Sequence, residues 1–173
     1  MGLRNQRIME KICTRPATEK DAPAMMELIK ELAAFERAAG EVTVAYEHFV
    51  ESGFGSSPVW WAWVAEAPDE KMGNSKVIGF ALYYIRYSTW KGCRMYLEDI
   101  IVTEEWRNRK VGSMLLERLI EVAKEKRLSG MMWQVLDWNA DAIRFYERYP
   151  VRFENNWLNV SLDFEKKKPE SGK

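Results

Sequence analysis

The hydrophobic period of this chain changes near its middle, where a run of strands gives way to a helix, and that change constrains the fold more than any other feature. Upstream of it, residues 60–65, 77–87 and 94–102 are aromatic and β-branched runs of the kind that form strands. Downstream, Val111, Leu115, Leu119 and Val122 recur at intervals of four, four and three, the spacing of one helix face. Turns at 72–75, with Gly73 and Asn74, and at 88–92 make an antiparallel meander the simplest arrangement of the three runs, with the helix lying on it. Before the meander, 11–15 is a short strand candidate. Thr18 opens a helix that carries Asp21 three residues later, sets Met25, Leu28, Leu32 and Phe35 on one face, and stops before Gly40. A shorter helical pattern over 46–52 ends at Gly53-Phe54-Gly55. After the long helix the chain returns to strand over 131–135. Asn139 then caps a helix over 140–148 that Pro150 closes, and 157–164 alternates as a final strand. The sum is an α/β domain with a mixed sheet.

A chain of 173 residues is about one domain, and 47% hydrophobic with 13% aromatic residues is enough to build a core without disulfide or metal staples. Residues 1–10 read as a polar extension rather than a secretory signal, 11–164 as the folded domain and 165–173 as a charged tail. Lys and Arg number 26, as do Asp and Glu, so the molecule lacks the positive field that collects nucleic acid or an anionic membrane surface. No run approaches the ~20 apolar residues of a membrane span. Cys13 and Cys93 are far apart and suit reduced thiols, which points to the cytoplasm. His48, the one histidine, has no second ligand near it, and no metal site is expected.

One segment has the form of an anion site. Arg107-Asn108-Arg109-Lys110-Val111-Gly112-Ser113 follows a strand and opens a helix, where peptide N–H groups and the helix dipole converge. Its spacing matches neither the P-loop nor the dinucleotide fingerprint. Taken alone, it reads first as an ordinary basic helix start.

In the order strand, Arg-rich turn, helix, strand, then Asn139 and Tyr146, the chain resembles the GNAT superfamily of N-acetyltransferases. Arg15-Pro16-Ala17-Thr18, Ile29-Lys30-Glu31-Leu32-Ala33, Gly53-Phe54-Gly55, Tyr96-Leu97-Glu98-Asp99 and Phe145-Tyr146 are similar, in order, to the spermidine/spermine and thialysine acetyltransferases. The resemblance implies a twisted, mostly antiparallel sheet flanked by helices, whose splayed central strands hold acetyl-CoA. It implies that the backbone of Ile100, Ile101 and Val102 follows the pantetheine arm. The turn of Arg107, Asn108, Arg109, Lys110, Val111, Gly112 and Ser113 would hold the pyrophosphate, with Asn139 and Tyr146 as further cofactor contacts. Family members usually have glycine where Asn108 and Lys110 stand, so these two are expected in unusual backbone angles. Peptide donors survive that change, and Arg109 and Lys110 add charge.

By the same resemblance Tyr146 is the general acid that protonates the departing thiolate, and Phe35, Glu36, Ser88, Trp90, Glu98 and Asp99 line the amine site. On residue chemistry alone, Tyr146 reads first as a packed helix residue, and Glu98 or Asp99 is a fair candidate for an ion pair with Arg86, Arg94 or another basic side chain. Adjacent in a strand, Glu98 and Asp99 should point to opposite faces. A carboxylate beside an ammonium favours its charged, non-nucleophilic form. Releasing the proton of a lysine-like amine near neutral pH costs roughly 4 kcal/mol. Glu98, through ordered water, is assigned that proton, and Glu36 the orientation of the amine. Polyamine enzymes that resemble the chain carry Asp where Ser88 stands. The stretches Tyr87-Ser88-Thr89-Trp90-Lys91-Gly92 and Val135-Leu136-Asp137-Trp138-Asn139 are similar to the thialysine branch.

The resulting expectation is an acetyl-CoA-dependent, metal-free N-acetyltransferase of the cytoplasm, acting by direct attack on thialysine or a related lysine analogue. By resemblance it is a homodimer, with 157–164 contributing at the interface. A spermidine/spermine acetyltransferase and a non-catalytic CoA-binding module are the rivals.

Overall fold

The computed structural model describes residues 12–69, 73–162 and 164. The 1–10 extension, the 165–173 tail, Lys11 and Met72 lie outside the described residues. The chain falls into two compact units, Met1–Gln134 and Val135–Lys173.

The first unit is built on a sheet of order β1-β2-β3-β4-β5, formed by Cys13–Pro16, Trp61–Asp69, Asn74–Ser88, Gly92–Val102 and Met131–Met132. The first four strands are antiparallel neighbours, and β5 runs parallel to β4. The meander is therefore as the apolar runs imply, with longer strands. Helices α1 (Ala22–Phe35), α2 (Tyr46–Phe54) and α3 (Val111–Glu125) complete the unit.

Alternation divides the sheet between two cores. Ala62, Val64, Phe80, Leu82 and Ile101 join Ala22, Met25, Met26 and Leu28 of α1 and Phe49 of α2 on one face. On the other, α3 packs against β2, β3 and β4 through the stripe of Val111, Leu115, Leu119 and Val122, all buried. Burying side chains such as Phe80 and Leu115 stabilises the fold by about 1.5–3 kcal/mol each. The start of α1 is held by a built ion pair. Thr18 donates its N–H and hydroxyl to Asp21 at 2.7 and 2.9 Å, and Arg15 grips the same carboxylate at 2.7 and 2.8 Å while reaching Glu66 at 2.5 Å. Burial alone would raise the Asp21 carboxyl, but Arg15 and Thr18 hold it below the ordinary range. A single 3-10 turn, Glu19–Asp21, separates Thr18 from α1.

Two strand expectations are corrected. Only Met131–Met132 of 131–135 joins the sheet, because pairing with β4 stops at Tyr96 opposite Met132. In the second unit, helix α4 (Ala140–Tyr146) is present, shorter than 140–148, and Asn139 caps it by accepting from the Ala142 N–H at 3.1 Å. Residues 157–162 and 164 form no strand. A strand needs an edge to pair with, and the described residues of this unit contain none. Trp157, Leu158, Val160, Leu162 and Phe164 are each at least 75% exposed.

Candidate active site

The turn before α3 has the backbone that its sequence implies. Asn108 and Lys110 both lie in the left-handed region, with φ of 60° and 63°. That region costs an L-residue roughly 1–2 kcal/mol relative to the right-handed one, so surrounding structure must hold it. No side chain caps α3 at Lys110, and the first helical amides, Val111, Gly112 and Ser113, are those that a helix leaves without an intrahelical acceptor. Open donors at a positive helix end fit a diphosphate, the group that acetyl-CoA would place there. The basic side chains are less free than their charge implies. Arg107 donates through Nε to the Val102 carbonyl at 3.0 Å, pairs with Glu31 at 3.4 Å and lies over the Phe35 ring at 5.4 Å. It clamps the turn to α1. Arg109 stacks over Trp106 at 4.9 Å. Lys110 is exposed.

The end of β4 is open on one side. Thr103 donates its N–H to the Ile78 carbonyl at 2.9 Å, and the period of two in an antiparallel ladder sends Ile101 toward the same neighbour. Ile100 and Val102 therefore face the other way, beyond the reach of β5, which pairs only with Met95 and Tyr96. The Val102 carbonyl is taken by Arg107. The N–H groups of Ile100 and Val102, rather than that of Ile101, border the gap between β4 and β5.

A β-bulge overturns the expectation that Glu98 and Asp99 point to opposite faces. Leu82 pairs with Asp99 but Tyr83 pairs with Leu97, so Glu98 is one residue too many on β4. Alternation breaks there. Asp99 shares the face of Leu82, and Glu98 acts electrostatically on Tyr84 and Tyr96, whose rings stack on that face at 5.0 Å. Glu36, the residue after α1, also bears on Asp99. Desolvation first, then the Glu98 and Glu36 charges, push the half-buried Asp99 carboxyl up to about 6. Burial raises Glu36 as well. The alternative of an ion pair with Arg86 or Arg94 is not realised, and among the described residues none of the three carboxylates meets a basic side chain within 4.0 Å.

The other expected amine-site residues lie apart from this cluster or serve the turn. Phe35 is half exposed beneath Arg107. Ser88 spends its hydroxyl as acceptor for the Trp90 and Lys91 N–H groups, at 3.3 and 3.2 Å, and Trp90 is 84% exposed. In the second unit, Tyr146 is buried, and burial pushes its hydroxyl up to about 12, so it keeps its proton at any working pH. Its ring meets Phe145 edge-on at 5.1 Å. Sequence reasoning missed Tyr84 and Tyr96, although each is an even step from a residue it did select, Ser88 and Glu98. His48 is exposed, both cysteines are free, and among the described residues no cluster of His, Cys, Asp or Glu could hold a metal ion.

Comparison with known proteins gives the family of the chain. The model of the Acetyltransferase (GNAT) family matches residues 23–149. The thialysine N-epsilon-acetyltransferase of Bos taurus is 40% identical over 139 residues, covering 79% of this chain and 81% of that protein. Its Mus musculus counterpart is 37% identical over 87% and 92%. The Homo sapiens spermidine/spermine N(1)-acetyltransferase-like protein 1 is 34% identical over 84% of this chain and 21% of its own length. Among solved structures, an aminoglycoside acetyltransferase from an uncultured soil metagenomic sample superposes with a TM-score of 0.71, at 16% identity over 90% of this chain and 98% of its own. An open mixed sheet, a left-handed turn feeding a helix and a strand bulged at an acidic pair thus coincide with a family match over most of the chain, which belongs to the GNAT family of N-acetyltransferases.

Proposed function

We propose that the chain transfers the acetyl group of acetyl-CoA to the terminal amine of thialysine or a related lysine analogue. The observation that carries this reading is the cluster of three carboxylates, Glu98 and Asp99 on β4 and Glu36 at the end of α1, with no basic partner within 4.0 Å among the described residues. Uncompensated like charges in a half-buried site favour a cation between them, and an alkylammonium is that cation. The relatives named as thialysine acetyltransferases support the choice of amine.

Acetyl-CoA supplies an acetyl thioester. The backbone of Ile100 and Val102 lines its arm, with Ile101 between them turned to β3, and the turn from Arg107 to Ser113 receives its phosphates through main-chain N–H groups, with the Arg109 and Lys110 charges nearby. Asn139 is a further contact. The Ile100 and Val102 N–H groups border the place where a carbonyl oxygen gains charge. Glu36 orients the amine, and Phe35, Ser88 and Trp90 stand at the margin of its site. Glu98, exposed to water, takes the ammonium proton through it, while Asp99 lies within one unit of neutrality and shares that proton readily. Tyr146 Oη supplies a proton to the departing sulfur. The work proceeds by direct attack without a metal, in the cytoplasm, where the free Cys13 and Cys93 stay reduced. A second copy completes the enzyme as a homodimer, the 157–164 segment, in which Trp157, Leu158, Val160, Leu162 and Phe164 are exposed, contributing at the interface.

Competition between thialysine and spermidine, followed as thiol release from acetyl-CoA, tests the reading. A higher kcat/KM for thialysine is expected; a much higher value for spermidine overturns it in favour of a polyamine enzyme. Tight acetyl-CoA binding with no amine turnover would mark a CoA-binding module instead.

A further inference from the structure

The face that carries Glu98 and Asp99 has an opposite pole. Arg86 and Arg94 stand directly across from each other on β3 and β4, one rung beyond the stacked Tyr84 and Tyr96. Paired residues of an antiparallel ladder share a face, and like charges placed so are destabilising. Nothing among the described residues relieves them. Arg15, Arg107 and Arg118 each have a carboxylate. Arg86 instead rests its Nη1 on the Met132 sulfur at 3.0 Å, a weak acceptor. Arg94 reaches the Met131 carbonyl through Nη2 at 3.0 Å, and its Nε is buried with no partner at all. An orphaned guanidinium N–H is costly, and two facing guanidiniums without a carboxylate favour an anion beside them. The rung between, Tyr84 with Tyr96, separates the poles by roughly 7 Å of strand on either side. Along β4 the order is thus basic pole, aromatic wall, acidic pole.

We propose that Arg86 and Arg94 receive a carboxylate borne by the amine substrate itself, so that the sheet face selects an ω-amino acid laid along the tyrosine wall, amine toward Glu98 and Asp99. This rests on the preceding reading of the acidic pole as the amine site and adds what holds the other end. A guanidinium pair grips a carboxylate with directed, charge-assisted hydrogen bonds, and it repels a substrate whose far end is a second ammonium. Selection against polyamines then arises from cations at β3 and β4 as well as from the missing acid at Ser88.

Arg86 is exposed and belongs to neither core, so substituting it leaves the fold in place. The test measures kcat and KM for thialysine and for its decarboxylated analogue, a thioether diamine, with the native enzyme, Arg86→Gln and Arg86→Lys. The native enzyme should prefer thialysine. Arg86→Gln should raise the thialysine KM by about tenfold or more with kcat little moved, and should raise kcat/KM for the diamine. Arg86→Lys should recover part of the preference. Calorimetric titration of thialysine into the CoA-loaded enzyme should show the same loss in Kd. An Arg86→Gln enzyme that turns over thialysine with its preference intact overturns the carboxylate site alone. A native enzyme that prefers spermidine overturns the thialysine reading, and the carboxylate site with it.

Discussion

The two halves of β4 are made of similar material and do opposite work. Over residues 92–97 the strand is regular and is joined by β5 at Met95 and Tyr96, and it buries Met95 and Leu97 completely. Over 98–102 it bulges, loses its neighbour on one side and sets two acids on one face. Regular pairing uses every backbone group and sends neighbouring side chains to opposite cores. A single extra residue frees donors and brings neighbouring side chains together. On the proposed reading, proton transfer belongs to the half where the ladder fails, while the regular half carries the buried core contacts of Met95 and Leu97.

The widest separation should come from Leu97→Ala. A fully buried leucine in the paired half should cost about 2–5 kcal/mol of stability, read from the urea midpoint, while leaving the KM for acetyl-CoA in place. If Leu97→Ala costs under 1 kcal/mol, the two halves do not differ as described. One residue along, Glu98→Gln should do the reverse, lowering kcat on the order of 10²-fold with a midpoint close to native. An unchanged rate across pH would remove Glu98 from the proton path.

Asp99→Asn sharpens the contrast through pH. A carboxyl held near 6, above its ordinary 3.8, contributes stability below its unfolded value and loses it as pH rises through 6. The native enzyme should therefore lose ground to Asp99→Asn in urea between pH 4 and 7, and the acid limb of its kcat/KM profile near pH 6 should flatten in the variant. Parallel curves would refute the raised carboxyl. The smallest effect belongs to the other end of the open edge. Asn108→Gly and Lys110→Gly relieve left-handed backbone and should each stabilise by about 0.5–1 kcal/mol, with acetyl-CoA binding retained or tightened in calorimetry. Destabilisation by either glycine would show that its side chain, not its backbone, shapes the turn.

Much of this was legible in the letters, because it is set by local rules. The meander follows from three apolar runs, α3 from a stripe of four residues, the Asn139 cap from one side chain, and the left-handed angles at Asn108 and Lys110 from residues placed where similar chains have glycine. Each is decided within a few residues of chain. The 157–164 segment shows the limit of such rules: its alternation is real, but a strand exists only where a partner offers an edge.

What the tertiary structure alone decided is who meets whom across strands. Glu98 beside Asp99 is a pair divided between faces by the period of two, and a pair gathered onto one face by the register with Leu82 and Tyr83. Arg86 opposite Arg94, and Tyr84 opposite Tyr96, likewise depend on how β3 and β4 slide past each other. Amino-acid order determines the direction of each side chain relative to its own strand. The hydrogen-bonded register of two distant segments determines its company, and no local propensity encodes a register.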